Sequence, residues 1–222
     1  MIEYSPAPRH RRRIIRRLLQ TLRFDSLIDV GCGSGALLSE LSLDNHDIKL
    51  AGIDISPYVI EQNRERFKKI QFYQMDIEKE HPYERFDVVV CSEVLEHTDD
   101  PGKVIANLKS LANRYLIMTV PSGKVYPLDK GFGHIRHFNG RYLKREIERD
   151  SFRISDLFLW GFPFHSLYKI LINLAPHHTE TLFSQSEYGL LQRMSSEVLH
   201  LLFYLNIRGM GKQLFAVAER IV

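Results

Sequence analysis

Cysteine is scarce in this chain of 222 residues, which contains only Cys32 and Cys91. Two cysteines cannot supply the bridges of a disulfide-stabilised scaffold or the ligands of a cysteine-rich zinc cluster. We interpret both as small buried residues of a protein in a reducing compartment. The sequence therefore predicts a cytoplasmic location.

Long apolar runs are also missing. No stretch of about 18 uninterrupted apolar residues could cross a bilayer, and the N-terminal residues lack the apolar core of a signal peptide. No charge of one sign dominates, because 30 lysines and arginines nearly balance 27 acidic residues and leave a net charge of +3. The length, with 44% hydrophobic residues, predicts one domain with one substantial core.

The most informative stretch is LIDVGCGSG, from Leu27 to Gly35. Four residues typical of a buried strand lead into three alternating glycines, and a helical pattern of leucines follows at once. Glycine permits the tight turn and leaves bare main chain for a ligand to approach. The unpaired amides at the start of the helix favour an anionic or carboxylate-bearing ligand.

A second strand, Lys49 to Asp54, ends in a carboxylate that can accept both hydroxyls of a ribose. These features leave two hypotheses open, a dinucleotide or another adenosine-bearing cofactor. Dinucleotide sites favour the spacing G-x-G-x-x-G. This chain instead has G-x-G-x-G, preceded by Asp29.

That glycine pattern, with its acidic residue, resembles the first motif of the class I S-adenosylmethionine-dependent methyltransferases. The resemblance continues in order through GIDIS, MDIEKE and FDVVVCSEVLEH, and it spans at least Leu27 to Val120. It implies S-adenosylmethionine as cofactor, with Asp54 on the ribose, Asp76 on the adenine amino group and Ile77 on the adenine ring. The cofactor-binding residues that it implies are Asp29, Gly31, Cys32, Gly33, Gly35, Asp54, Ile55, Asp76, Ile77 and Ser92.

The resemblance also implies the fold class, an α/β protein with a doubly wound, Rossmann-like sheet. Seven strands are expected in the order 3-2-1-4-5-7-6, with the last strand antiparallel. The apolar patterns predict the later strands at Ile70–Met75, Phe86–Cys91, Tyr115–Val120, Phe152–Leu159 and Gln213–Val222. We expect one domain, made of an N-terminal basic helix (1–24), a cofactor-binding core (25–160), a helical cap (161–206) and a final strand (207–222).

The N-terminal segment from Arg9 to Arg23 carries seven arginines, with aliphatic residues at helical spacing between them. This pattern predicts an amphipathic helix with one cationic face. The helix could pack on the domain edge with its charges in solvent. It could also form a lid over the cofactor, a patch for a phosphate-bearing substrate, or a contact with RNA or an anionic membrane.

Two later segments break the regular alternation of strands and helices. Residues 122–139 form an irregular stretch rich in histidine and aromatic residues, and GHIRHFNGRYLKREIE resembles the segment that borders the acceptor pocket in the ubiquinone-biosynthesis O-methyltransferase branch. Residues 161–206 contain two apolar helical stretches separated by the polar segment PHHTETLFSQSEYG. Aromatic residues in and just before this segment, including Phe158, Trp160 and Tyr168, either belong to the core, bind an apolar acceptor or rest on a membrane.

A hydroxyl acceptor must lose its proton, which requires a base or a metal. We identify His97, His134 and His137 as candidate catalytic bases, because imidazole titrates near neutral pH. An alternative uses Glu93, Glu96, His97 and His137 as ligands of a divalent cation, an arrangement that resembles the small-RNA 2′-O-methyltransferases. Because E-V-L-E-H also occurs in methyltransferases without metal, we assign no metal site and leave a cation open.

The sequence thus predicts a methyltransferase that uses S-adenosylmethionine, releases S-adenosylhomocysteine, and methylates a small molecule at oxygen by in-line transfer. The acceptor is expected to be aromatic, prenylated or sugar-like, and nucleic acid is not expected as a partner. The alternatives are an RNA methyltransferase and a non-catalytic S-adenosylmethionine-binding module. Peripheral membrane contact and the oligomeric state stay open.

Overall fold

A seven-stranded sheet with helices on both faces organises the chain in the computed structural model, which describes residues 5–44, 47–174 and 189–221. The strands are β1 (Ser26–Val30), β2 (Lys49–Asp54), β3 (Gln71–Gln74), β4 (Phe86–Ser92), β5 (Ala112–Pro121), β6 (Phe152–Phe162) and β7 (Ile207–Arg220). The helices of this described part are α1 (Pro6–Leu19), α2 (Ala36–Asp44), α3 (Pro57–Arg66), α4 (Pro101–Leu111), α5 (Pro127–Gly131), α6 (Gly140–Ile147), α7 (Phe164–Ile172) and α8 (Leu190–Phe203).

The strand order β3-β2-β1-β4-β5-β7-β6 confirms the predicted fold class. The first five strands are parallel, and β7 runs antiparallel between β5 and β6. The strand order reverses between β1 and β4. Because these two strands are parallel, their carboxyl ends lie at the same edge of the sheet. In open α/β sheets such a reversal forms a crevice at the carboxyl ends of the strands, where ligands bind.

The central strands are buried on both faces, as their nearly continuous apolar sequences predict. In β4, Val88, Val89 and Val90 are completely buried. Val89 packs in one core layer together with Ile28 of β1, whereas Val88 and Val90 pack in the layer on the opposite face. This double burial makes the strand ends a rigid support for the side chains that follow them.

Side-chain caps mark the starts of α3, α4 and α6. The hydroxyl of Ser56 accepts from the amide of Val59 at 3.4 Å, and the Asp100 carboxylate accepts from that of Lys103 at 3.0 Å. The Asn139 side-chain oxygen likewise begins α6. Residues 122–139, predicted as irregular, contain the short helix α5.

The last strand, β7, begins at Ile207, six residues before the apolar segment that starts at Gln213. Trp160 of β6 pairs with both Gln213 and Arg208, so the chain bulges between those two residues. Gly211 has a φ of +139°, and a Cβ there would lie 2.1 Å from the carbonyl oxygen of Trp160. Only glycine permits this close approach of two backbones, which an apolar pattern does not reveal.

Within the described residues, the two helices α7 and α8 lie between β6 and β7 in sequence. The side-chain oxygen of Asn206, just after α8, accepts from the amides of Phe164 and His165 at 2.8 and 3.2 Å and thereby joins the end of α8 to the start of α7. The polar segment predicted between these helices falls outside the described residues, except for Gly189. Among the described helices, none is both long and apolar enough to cross a bilayer.

We expect Gly52→Ala to destabilise the protein. A Cβ at Gly52 would lie 2.9 Å from both Cys32 Sγ and Leu38 Cδ1 and 3.0 Å from Phe72 Cδ1, and such overpacking costs about 1–3 kcal/mol. Urea titration should show this loss in the free energy of unfolding. Gly102→Ala is the matched control, because that helical Cβ would come no closer than 3.3 Å to another atom. Equal stabilities of the two variants would contradict the packing described here.

Candidate active site

The glycine turn after β1 is held against the end of β2. The amides of Gly31 and Cys32 both donate to the carbonyl oxygen of Ile53, at 2.8 and 2.9 Å. Gly31 and Gly33 have φ values of +73° and +49°, in the left-handed region that favours glycine. A Cβ on Gly33 would meet no atom within 4 Å, so the turn borders open space that a ligand can enter.

The carboxylate of Asp54 supports the same turn. Its Oδ2 accepts from the amide of Gly33 and its Oδ1 from the amide of Ser56, both at 2.9 Å. Each carboxylate oxygen can accept more than one hydrogen bond, so both can still receive ligand hydroxyls. The residue predicted to bind ribose therefore also fixes the glycine turn.

A cavity of about 360 Å³ opens beside Asp54. Five of the predicted cofactor-binding residues contribute to its wall, namely Gly31, Asp54, Ile55, Asp76 and Ile77. Ile55 is exposed, whereas Ile77 is buried in the core beneath the cavity. The Asp76 carboxylate accepts from the amide of Glu78 at 3.0 Å and pairs with Lys79 at 2.9 Å, so it caps a turn while facing the cavity.

A second cavity, of about 210 Å³, lies on the other side of Gly31, which lines both. Its wall includes the predicted residues Asp29, Cys32, Gly33 and Ser92. Gly35 lines neither cavity. A Cβ on Gly35 would lie 3.0 Å from Phe67 and 3.2 Å from Asn63, so this glycine permits close packing of α2 on α3.

Helix α1 covers the second cavity. It contributes Pro8, Arg11 and Arg12 to the wall. The outer arginines of α1 pair with α2, with Arg12 at 2.7 Å from Glu40 and Arg16 at 2.6 Å from Asp44. The interpretations of this helix as a lid and as an edge helix are thus compatible.

Asp29 is buried at the base of the second cavity. Burial, followed by the negative charge of Asp54, raises its pKa to about 7, although Arg12 acts in the opposite direction. A carboxyl group with this pKa changes its charge near neutral pH. A cationic ligand group in the cavity would favour the ionised form.

Glu93 connects the site to three other elements. It has a φ of +60°, a strained value for a residue other than glycine. Its Oε1 accepts from Gln213 of β7 at 2.7 Å and from Thr119 of β5 at 3.5 Å, and its Oε2 lies 3.5 Å from Arg11 of α1. Sequence reasoning missed Arg11, Thr119 and Gln213, since no local pattern connects them to Glu93.

The three candidate bases lie in one cluster, but only His97 lines the larger cavity. The rings of His97 and His134 have centroids 4.9 Å apart, and His134 Nδ1 lies 3.3 Å from His137 Nε2. His137 Nε2 is also 3.4 Å from Asp129 Oδ2. Burial lowers the pKa of His134 to about 4, despite the opposing charges of Glu93 and Asp129.

The predicted cation ligands Glu93, Glu96, His97 and His137 do not form one set in the described part of the chain. The residues close enough to share an ion are Glu96, His97 and His134, or Asp129, His134 and His137. The quartet is wrong because Glu93 contacts Arg11 and Gln213, while His137 lies beside Asp129. Asp129 was not identified from the sequence, because nothing near it in the chain marks it.

Glu96 is fully buried, and within the described part of the chain neither of its carboxylate oxygens has a hydrogen-bond partner. Burial, reinforced by the charge of Glu93, raises the pKa of Glu96 well above its usual value. Burial thus favours the uncharged carboxyl group, and a cation beside it would favour the ionised form. These features are consistent with either a structural or a ligand role.

The aromatic residues proposed to bind an acceptor are mostly part of the core. Phe158 stacks on Phe215 with ring centroids 5.1 Å apart, and Trp160 stacks on His165 at 5.2 Å. Phe158 and Trp160 are both buried. The structure thus favours the core interpretation for these two side chains.

The residues of the two cavities fit S-adenosylmethionine. Gly33 leaves room at the turn, Asp54 offers acceptors for a diol, and Ile55 and Ile77 offer apolar surfaces. Asp29 offers a carboxylate to a cationic group in the adjoining cavity. Gly31, shared by both cavities, is the position at which the two halves of such a cofactor would meet.

Comparison with known proteins supports this assignment. A family model described as a methyltransferase domain matches residues 25–156. The ubiquinone biosynthesis O-methyltransferase of Coxiella burnetii (strain Dugway 5J108-111) is 36% identical over 111 residues, which cover 48% of this chain and 44% of that protein. The malonyl-[acyl-carrier protein] O-methyltransferase of Acetivibrio thermocellus is 28% identical over 176 residues, or 76% and 58% of the two chains. This chain spans about half the length of these relatives.

Solved structures show the same fold. The N-methyltransferase NodS from Bradyrhizobium japonicum WM9, in complex with S-adenosyl-L-homocysteine, matches with a TM-score of 0.62 at 17% identity and covers 97% of this chain and 88% of its own. Magnesium protoporphyrin IX methyltransferase from Synechocystis PCC 6803, with bound S-adenosyl-L-homocysteine, has a TM-score of 0.62 at 15% identity, with 97% and 85% covered. The fold is that of the class I S-adenosylmethionine-dependent methyltransferases. The chain belongs to the methyltransferase-domain family.

We expect Asp54→Ala to weaken binding of S-adenosylhomocysteine by about 1–3 kcal/mol, because charge-assisted hydrogen bonds to the ligand are lost. Isothermal titration calorimetry would measure the dissociation constant. Glu80→Ala is the control, since Glu80 is an exposed acid outside both cavities. Unchanged affinity in a folded Asp54 variant would remove the ribose assignment.

We expect Asp29→Asn to change how stability depends on pH. A pKa raised from 3.8 to about 7 means that the Asp29 contribution is complete below pH 3.8 and is lost as the pH rises to about 7. The variant has no carboxyl group to ionise, so its free energy of unfolding should gain on the wild type across this range and level off above it. Parallel pH profiles would contradict the raised pKa. The exposed Asp99→Asn variant serves as the control.

Proposed function

We propose that this protein transfers a methyl group from S-adenosylmethionine to a hydroxyl group of a small molecule. The observation that carries the proposal is the position of His97 in the wall of the larger cavity, close to the glycine turn that both cavities share. The two relatives that are named O-methyltransferases support oxygen as the acceptor atom. Their names also make an acid or a phenol-like molecule a reasonable first acceptor to test.

The cofactor, when bound, supplies an electrophilic methyl group on a sulfonium. The residues around it have to bind the cofactor, orient the acceptor and remove a proton from the acceptor. Asp54 and Asp76 orient the adenosine half by accepting hydrogen bonds, and Asp29 attracts the cationic half. Precise positioning of an acceptor against a reactive group accounts for much of the rate in such reactions.

His97 is the base that we propose for the acceptor hydroxyl. Its Nδ1 lies 3.2 Å from the carbonyl oxygen of Gly133. A carbonyl oxygen can only accept, so Nδ1 carries the proton of the neutral ring, which leaves Nε2 free to accept one. His97 is also exposed, so an acceptor can reach it.

In this proposal, His97 is oriented by the neighbouring residues His134, His137 and Asp129. Burial lowers the pKa of both His134 and His137, which therefore stay neutral near His97. Lys169 lies 3.1 Å from Asp129 and balances its charge. These residues hold the His97 ring in place and add no positive charge next to it.

The helical segment between β6 and β7 is proposed to cap the acceptor side of the site. Asn173, just after α7, accepts from the amide of Leu128 at 3.0 Å, and Lys169 of α7 pairs with Asp129. Both contacts join this segment to the loop that carries His134 and His137. Movement of the segment would therefore change the shape of the acceptor side.

The other hypotheses have less support. An RNA methyltransferase was suggested by the arginines of α1, but Arg12 and Arg16 pair with acidic residues of α2. A non-catalytic module would keep the cofactor residues but would not need the histidine cluster. A reducing, cytoplasmic location is proposed because Cys32 and Cys91 are both free and buried.

We expect His97→Gln to lower kcat by about 10²- to 10⁴-fold, the usual contribution of general base catalysis. Binding of S-adenosylhomocysteine should change little. The assay uses radiolabelled S-adenosylmethionine with an acceptor found by screening phenols and carboxylic acids. His81→Gln is the control, because His81 lines neither cavity.

Two results would oppose this assignment. Full activity of the His97 variant would exclude His97 as the base. Loss of wild-type activity on chelation, with recovery on adding a divalent cation, would assign His97 to a cation site with Glu96 and His134. Because His97 has its own free nitrogen, we expect activity to survive chelation.

A further inference from the structure

Helix α8 exposes an apolar stripe along its full length. Leu190, Met194, Val198 and Leu201 follow one another at intervals of four, four and three residues, so they share one face of the helix. Each of these four side chains is more than half exposed. The opposite face carries the fully buried Phe203, so α8 is apolar on both its inner and its outer face.

Helix α7 has a similar outward stripe. Leu167 and Leu171 lie four residues apart on this helix, and Leu174 follows just after its end; each of the three is more than half exposed. Asn206 ties the two helices together by capping α7 from the end of α8. Exposed large aliphatic side chains continue beyond α8 at Leu205. We call the outward side chains of α7 and α8 the apolar patch.

An exposed apolar patch that extends over two helices usually marks an interaction site. The question is what kind of surface covers it. A second copy, a partner protein and a lipid bilayer all offer apolar groups, so the charges beside the patch have to decide between them.

Cationic side chains of α1 border the patch. Helices α1 and α8 are in contact, and Arg13 places its guanidinium 4.0 Å from the ring centroid of Tyr204, at the end of α8. Arg17 lies one helical turn further along α1 and is exposed. Arg9 pairs at 2.6 Å with Glu197, which is the only acidic residue in the sequences of α7 and α8.

These charges disfavour a second copy as the occupant. A symmetric dimer through the patch would bring the arginines of both chains to one interface, with little acidic surface to face them. A bilayer with anionic headgroups satisfies both features, because it accepts apolar side chains at the acyl boundary and attracts neighbouring arginines. Helices that lie flat on a membrane combine these two elements.

We propose that the apolar patch of α7 and α8, together with Arg13 and Arg17 of α1, docks the protein on the surface of an anionic lipid bilayer. No part of the described chain crosses the membrane in this arrangement. Docking does not depend on methyl transfer, so it can be tested without cofactor or acceptor. It would bring the acceptor side of the site close to molecules that partition into lipid.

Co-sedimentation with vesicles tests the proposal. Wild-type protein should bind vesicles of phosphatidylglycerol and phosphatidylcholine at least tenfold more tightly than vesicles of phosphatidylcholine alone, and binding should weaken as salt is raised. The triple variant Met194→Gln, Val198→Gln, Leu201→Gln should lose binding to both. Glutamine preserves helix propensity, so α8 should still form.

Matched controls separate the patch from general effects. Leu43→Gln together with Tyr83→Gln makes the same kind of change at exposed sites on other parts of the surface and should leave binding intact. Arg17→Gln should weaken binding to the anionic vesicles and leave binding to phosphatidylcholine vesicles unchanged. Arg149→Gln, at another exposed arginine, should leave binding to both kinds of vesicle unchanged. The arginine pair keeps the test valid if the triple variant fails to fold.

Three outcomes would overturn the proposal. The first is that wild-type protein does not sediment with anionic vesicles even at low salt. The second is that the Met194, Val198 and Leu201 variant binds as well as the wild type. The third is that the wild-type protein is an oligomer that does not bind vesicles, and that this variant dissociates the oligomer, which would identify a second copy as the occupant.

Discussion

The carbonyl oxygen of Ile53 holds the site together, because it accepts hydrogen bonds from two successive amides of the glycine turn. That turn leaves β1, whereas Ile53 is near the end of β2, so the bonds join two strand ends at the crevice. The next residue, Asp54, extends the junction by accepting from Gly33 and Ser56. The cofactor half of the site is therefore preorganised by main-chain bonds, and a ligand entering it need not order the turn.

Glu93 has a comparable role at the end of β4. It follows β4, whose central residues are completely buried, and adopts a strained backbone conformation. Its carboxylate contacts α1, β5 and β7. Such strain persists only where the surroundings hold it, here through Arg11 and Gln213. The first helix and the last strand, which are far apart in sequence, thus meet at one carboxylate. The strain falls at a residue that lines the larger cavity together with His97.

A second histidine cluster, away from the site, shows how burial changes the meaning of a residue. His10 and His165 both stack on Trp160, with ring centroids 5.6 and 5.2 Å from that of the indole. Burial lowers the pKa of His10 to about 4 and that of His165 to about 3, so both are neutral at physiological pH. They pack as aromatic rings and help to attach α1 and α7 to the edge of the sheet. His97, which is exposed and borders a cavity, has a different environment and a different proposed role.

The sequence by itself determined the sheet, the glycine turn and the acidic residues at the strand ends. These features are encoded in consecutive residues, because buried strands need apolar runs and a left-handed turn needs glycine. Only the tertiary structure decided which distant side chains meet. Gln213 reaches Glu93 across 120 positions of sequence, and Asp129 draws His137 away from the predicted cation quartet. The sequence also did not reveal the bulge at Gly211 or the exposure of the outer face of α8. Such contacts depend on how separate elements pack, and no local pattern records that packing.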